Sequence, residues 1–247
     1  MPKVMLISGC PRSGTTGFRT TLTQDTRLAI GLERYLRLSI NKKLTPDLWE
    51  RERFIDVQPN DTHVQPNHRS WGIANRAIDR VRDNYDTLDY IGDKLPRSAN
   101  SFEVLAETLP DIKIIYLLRN PFDVAASYNK RARNENDKRW RPVTDYSVAV
   151  KQWNFDIRQA VNFLDQLDFH IVRYETIFQN FEEFENVYAF LGLEMNDGAR
   201  SGWQDAHERS LSLEAQRSAL TDEEKVHLCA YCNFANYRKL LKHGGFL

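Results

Sequence analysis

The chain has 247 residues, 41% of them hydrophobic and 28% charged, the make-up of a soluble globular protein that can bury a sizeable core, not of a disordered or fibrous one. Lysine plus arginine equals aspartate plus glutamate at 34 each, so no overall field draws the chain to nucleic acid or anionic lipid, and any polyanion site must be local. Cys10 stands apart from the Cys229/Cys232 pair, and no paired histidines accompany that CxxC, so structural thiols are expected, with neither a disulfide framework nor a metal site.

Apolar runs at 4–8, 28–32, 88–92, 112–118 and 168–173 alternate with helical patterns at 14–24, 46–54, 70–85, 98–108, 121–133, 144–166, 181–191 and 222–242. This alternation predicts an α/β fold, a single-domain three-layer αβα sandwich around a central, mostly parallel sheet. The first strand begins at Lys3 or Val4, leaving no room for a signal peptide, and no stretch has the apolar length of a membrane span. A cytoplasmic protein is expected, or a catalytic domain cut from a longer one. Between Leu44 and Arg69 the text turns polar and irregular, which reads as an insertion over the sheet. One domain over 1–247 is expected, with variable loops at about 34–70 and 130–145 capping its active edge.

The richest segment is the first. Val4 to Ser8 form an apolar strand, Gly9 to Gly14 a loop, and a helix can begin at Ser13 to Thr16, so backbone N–H groups converge on a helix N-terminus, a cradle for an anion. The spacing follows the phosphate-binding P-loop up to its second glycine, but Thr15 occupies the position where nucleoside triphosphatases need lysine. Arg12, inside the loop, has the planar fork to supply the missing cation. A second segment, Lys113 to Tyr128, is a buried strand ending at Arg119, a turn at Asn120 and Pro121, and a helix that carries Ser127. Arg119 then lies at the carboxyl edge of the sheet, where open α/β folds collect ligands, and Ser127 can add a hydroxyl to an anion held there. Two anion sites on one edge imply a ligand with two anionic ends.

Pro11-Arg12-Ser13-Gly14-Thr15-Thr16 resembles the 5′-phosphosulfate loop, and Arg119-Asn120-Pro121 through Ser127 the 3′-phosphate motif, of sulfotransferases that use 3′-phosphoadenosine 5′-phosphosulfate. Arg12 stands where cytosolic members carry lysine, so the resemblance is to the tyrosylprotein and bacterial types, with a P-loop nucleotide-hydrolase-like fold. Gly31-Leu32-Glu33-Arg34, Gly92-Asp93-Lys94-Leu95-Pro96, Arg173-Tyr174-Glu175 and, more weakly, Glu208-Arg209-Ser210 extend it. The resemblance implies transfer of a sulfuryl group to a hydroxyl or amine, leaving 3′,5′-adenosine bisphosphate, without a metal. It makes Glu33 the general base and Arg12 and Lys94 the cations on the leaving side. The backbone of Ser13, Gly14, Thr15 and Thr16 would hold the phosphosulfate, Arg119 and Ser127 the 3′-phosphate, Tyr174 the nucleotide, and Ser210 the phosphosulfate.

The family's glycine-rich clamp near the C-terminus has no good match, and Arg217 is a stand-in. The basic stretch at 129–142, with Trp140 interleaved, is either a solvated face or a steering patch for an anionic ligand. A P-loop kinase shares the cradle but needs the lysine that Thr15 replaces, and a non-catalytic nucleotide-binding module has no use for Glu33 and Lys94. The acceptor is expected to be a carbohydrate or small hydroxylated metabolite, with no nucleic-acid partner.

Overall fold

Five short apolar runs form strands β1 (Lys3–Gly9), β2 (Leu28–Leu32), β3 (Tyr90–Lys94), β4 (Lys113–Leu118) and β5 (Asp168–Arg173) in this computed structural model. The structure describes residues 1–137, 140–213 and 220–247. The strands make one sheet in the order β2-β3-β1-β4-β5, with every neighbouring pair parallel. Parallel strands need crossovers, and helices lying on both faces bury the strands, so β2 is apolar and buried at every position and β3 is buried throughout, its charged end at Asp93 and Lys94 included.

The helices are α1 (Thr15–Leu22), α2 (Leu36–Ile40), α3 (Arg51–Ile55), α4 (Trp71–Asn84), α5 (Phe102–Thr108), α6 (Pro121–Ala132), α7 (Tyr146–Asn162), α8 (Phe181–Leu191), α9 (Asp197–Leu213), α10 (Asp222–Tyr231) and α11 (Phe234–His243). The period-2 alternation of the strands divides the core in two. Met5, Ile7, Ile115 and Leu117 pack with Phe18 of α1 and Phe184 of α8 on one face, and Leu6, Ile114 and Tyr116 with Phe102 of α5 and Trp153 of α7 on the other. This is the expected three-layer α/β sandwich of P-loop type. No helix among the described residues is long and apolar enough to cross a membrane.

The helix expected over 222–242 is two helices. Its start is as the sequence suggests, a capping box of Thr221 and Glu224. The break lies at Cys232 and Asn233, where Asn154 of α7 donates from its amide nitrogen to the Tyr231 carbonyl and accepts from the Asn233 N–H, while the Asn233 side chain caps α11. One asparagine thus satisfies both loose ends. Cys229 therefore lies in α10 and Cys232 just past its end, both thiols free.

Helix α9 was not expected, because Gly198 and Gly202 lower its propensity. They are there for packing: a Cβ would stand 2.5 Å from the Gln24 carbonyl oxygen at Gly198 and 2.7 Å from that of Thr21 at Gly202, so α9 reaches α1 only through glycine. The insertion before α4 is pinned by Asp61, whose carboxylate accepts from Arg34 and Arg53 at 2.5 Å each. Burial opposes charge there, but these hydrogen bonds hold the Asp61 carboxyl below the usual range.

Candidate active site

The strands deliver the predicted residues to one edge. The loop after β1 holds Arg12, Glu33 follows β2, Lys94 ends β3, Arg119 follows β4 and Tyr174 follows β5. Backbone shape in the first loop admits little but its own sequence. Gly9 has φ 138°, and a Cβ there would lie 2.5 Å from the Leu117 carbonyl oxygen; Gly14 has φ 85°, and a Cβ would lie 1.9 Å from the Tyr174 ring. Gly14 caps α1 without a side-chain hydrogen bond, and no acidic residue sits in the first turn, so the helix presents open N–H groups and uncompensated positive dipole. The Ser13 hydroxyl is buried without a protein partner, whereas the Thr15 side chain is buried in the fold and offers the cradle only its N–H.

The loop is stitched to the second motif. Arg12 Nε donates to Ser127 Oγ at 3.1 Å, and Arg119 Nη1 donates to the Arg12 carbonyl at 2.8 Å. Trp153 Nε1 donates to the Arg119 carbonyl at 3.0 Å, and the Arg119 guanidinium lies 4.2 Å from the centre of the Tyr174 ring with its Nε buried and unpaired. Arg12 reaches solvent from a concavity; the protein around it, and then the charges of Arg131 and Arg119, push its guanidinium below its ordinary range. Arg131 is paired with Asp137, but Arg12 and Arg119 pair with no carboxylate among the described residues, and concentrated positive charge of this kind calls for an anion.

A cleft opens on each side of the loop. The first, about 400 Å³, is lined by Gly14, Arg119, Tyr174, Phe178, Arg209 and Ser210 among others. Ser210 donates its hydroxyl to the His207 carbonyl at 2.7 Å, so its one proton is engaged within α9. The second, about 390 Å³, is lined by Thr16, Glu33, Lys94, His63, Arg131 and Trp140 among others. Lys94 Nζ donates to Glu33 Oε1 at 2.5 Å, and His63 Nε2 lies 3.5 Å from Glu33 Oε2. The Lys94 side chain is 2% exposed and that of Glu33 20%, so the ammonium is locked in and the carboxylate opens to the cleft.

Three non-glycine residues among those described have positive φ, and two of them are Arg12 at 76° and Glu33 at 57°. A left-handed conformation costs about 1–2 kcal/mol for such residues, and strain of this kind concentrates where function requires it. Behind the Glu33 turn, Asp93 Oδ2 accepts from the Tyr35 N–H at 2.8 Å; burial pushes this carboxyl up to about 7.

The sequence-predicted residues therefore fall into two groups. Arg12, Ser13, Gly14, Thr15, Thr16, Arg119, Ser127, Tyr174 and Ser210 gather on and beside the loop, and Glu33 with Lys94 on its far side. Lys94, expected beside Arg12, is seated on Glu33. Phe178 and Arg209 in the first cleft, and His63, His68 and Arg69 in the second, were not singled out. Arg209 adjoins Ser210, a signal that was available; the histidines come from the insertion and carry no local signal. Of the basic stretch, Arg131 stacks at 4.3 Å on Trp140 and lines the second cleft, while Lys138 and Arg139 lie outside the described residues, as does Arg217.

A family model described as "Sulfotransferase family" matches residues 4–197. Among solved structures, the chain is similar to the sulfotransferase domain from the curacin biosynthetic pathway, at 17% identity over 100% of this chain and 99% of that one, with a TM-score of 0.54. It is also similar to sulfotransferase STF1 from Mycobacterium tuberculosis, at 17% identity over 83% of this chain and 71% of that one, with a TM-score of 0.52. No curated protein matches the sequence.

Proposed function

The chain belongs to the sulfotransferase family, and on that premise we propose that it transfers a sulfuryl group from 3′-phosphoadenosine 5′-phosphosulfate to a hydroxyl or amine of a small-molecule or carbohydrate acceptor. The observation that carries this reading is the position of the phosphate loop between two clefts, one floored by Arg119 and Tyr174 and the other by Glu33 and Lys94. A donor lying in the first reaches the joint with its reactive end; an acceptor in the second meets it there. The residues present suit a nucleotide with two anionic ends: an open helix N-terminus, an unpaired buried Arg119 Nε, an orphaned Ser13 hydroxyl and a cleft within the range of small-molecule sites.

The donor supplies an activated sulfur whose bond to the bridging 5′-phosphate oxygen is broken. Glu33 takes the proton of the acceptor hydroxyl through Oε2, because Oε1 is held by Lys94, as the acceptor oxygen forms its bond to sulfur. Arg12 and the N–H groups of Gly14 to Thr16 stabilise the negative charge that passes to the departing 5′-phosphate, the Ser13 N–H being held by the Cys10 carbonyl at 3.0 Å. Lys94 fixes the carboxylate and stands within its length of the same joint. Arg119 and Ser127 bind the 3′-phosphate, Tyr174 supports Arg119 and Ser210 borders the phosphosulfate. Fixed cations fill the role that a metal plays in phosphoryl transfer. The proposed protein is one domain acting in the cytoplasm.

Isothermal titration with 3′,5′-adenosine bisphosphate should give micromolar binding that fails with AMP and collapses in Arg119→Ala. Glu33→Gln should keep that binding while transfer falls by about 10²–10⁴. Preference for ATP with Mg²⁺, or no nucleotide binding, sinks the reading; unchanged transfer in Glu33→Gln removes the base.

A further inference from the structure

The second cleft has an asymmetric charge. Glu33 is the only carboxylate among its lining residues, against the cations Lys94, Arg69 and Arg131. Lys94 is neutralised by Glu33, and Arg131 by Asp137 at 2.5 Å, which leaves Arg69 as the uncompensated charge among the described lining residues. Arg69 is exposed and pairs with no carboxylate among the described residues. Around it stand His63 and His68, their rings 5.5 Å apart, and Ser70, which begins α4 with no acidic residue in the first turn. These groups come from the insertion and the start of α4, and they share the cleft with the sheet-borne pair of Glu33 and Lys94, His63 lying against Glu33 itself. The cleft therefore offers a carboxylate that can take a proton and, at Arg69, a cation that can hold an anion. Val64, Leu32 and Trp140 supply apolar wall between.

We infer that the acceptor carries its own anionic group, a carboxylate or a phosphate or sulfate ester, and that Arg69 is the residue that recognises it. This rests on the transfer reading for the hydroxyl at Glu33, but the binding of the anionic group does not. A bifunctional acceptor is oriented by its two ends: the anion goes to Arg69 and the hydroxyl to Glu33, the one carboxylate among the described lining residues. A neutral acceptor of the same shape gains nothing from Arg69 and has no electrostatic reason to choose one orientation.

The test is isothermal titration of the full chain, alone and saturated with 3′,5′-adenosine bisphosphate, against matched pairs: 4-hydroxybenzoate and its methyl ester, methyl glucuronide and its methyl ester, and 4-hydroxyphenyl phosphate as the phosphate arm. On at least one scaffold the acid should bind about tenfold tighter than its ester at low ionic strength, the advantage shrinking as salt is raised. In Arg69→Gln the acid should fall to the affinity of the ester, with bisphosphate binding retained. Carboxylate against phosphate affinity identifies which anion the site prefers. Acids that bind no tighter than esters on either scaffold, or an advantage that persists undiminished in Arg69→Gln, overturn the inference. Failure of bisphosphate binding alone overturns the donor reading and leaves the acid-against-ester comparison standing on its own.

Discussion

The two clefts are close in volume and opposite in construction. The proposed donor side is assembled from strand ends and helix faces, with Gly14 of the β1–α1 loop, Arg119 after β4, Tyr174 after β5 and Ser210 of α9. The proposed acceptor side takes Leu32, Glu33 and Lys94 from strand ends; His63, His68 and Arg69 are hung from an insertion that is pinned by Asp61. A site for a fixed nucleotide is tied to the sheet, which no substitution in a loop can move, whereas a site for a chosen acceptor is built where the chain can vary without disturbing the core.

The largest way to break this division is at the residue that joins the two sides. In Lys94→Met the transfer rate should fall by about 10²–10³, because Glu33 loses the group that fixes it and the joint loses a cation. Bisphosphate affinity should hold within a few-fold, since the donor cleft has its own cations in Arg119 and Arg209, with Arg12 on the loop beside it. A parallel loss of bisphosphate binding would mean that Lys94 belongs to the donor side after all.

Next in size is Gly14→Ala, which attacks the donor side alone. The added Cβ meets the Tyr174 ring at 1.9 Å and forces a left-handed φ on alanine, so stability should drop by about 1–3 kcal/mol and bisphosphate binding by more than about tenfold. Adding Tyr174→Ala removes the ring. If the collision is the cause, the double variant recovers part of the lost stability in chemical denaturation; if it recovers none, backbone strain alone explains the loss.

The same division explains what was legible in the sequence. The phosphate loop, the Arg119 turn and the parallel strands are local signals, each set by neighbouring residues and by the hydrophobic period, and the sheet and three layers follow from them. The Glu33–Lys94 contact spans 61 residues and depends on β2 and β3 lying side by side, which the motifs alone do not state. His63, His68 and Arg69 reach the cleft only because Arg34 and Arg53 fold the insertion onto Asp61, a tertiary arrangement with no local signature. Helix α9 was hidden by the glycines that let it pack, and the break before α11 by an asparagine in α7.

A smaller effect separates the sides by pH. Beneath each lies a fully buried carboxyl that burial pushes up to about 7: Asp156 beneath the loop, facing Cys10, Gln152, Arg97 and Tyr116, and Asp93 behind the Glu33 turn, facing Lys94, Glu33 and the Arg34 and Tyr35 N–H groups. Their folded pKa lies above the unfolded value of 3.8, so in the window between the two the native state holds more protons than the unfolded chain. Their contribution is complete below about pH 4 and is lost as pH rises to about 7. Asp93→Asn and Asp156→Asn, which keep the oxygen acceptors for Tyr35 and Gln152, should each flatten that decline in chemical denaturation by about 1 kcal/mol or more. A slope unchanged in both variants would mean that other groups carry it.

The smallest effect sharpens the comparison from the other direction. Gly72 is the second residue of α4, on the acceptor side, and a Cβ there meets nothing within 4 Å, unlike the one at Gly14. Its backbone is helical, so alanine would lose no favourable conformation, and the unfolded chain would lose freedom. Gly72→Ala should therefore stabilise the fold by about 0.5–1 kcal/mol, read as a higher denaturation midpoint at unchanged slope. Bisphosphate affinity should not move, because the donor cleft is tied to other elements. A loss of stability would mean that the α4 N-terminus is packed against something that a methyl group cannot share, and the acceptor side would then be as closely fitted as the donor side.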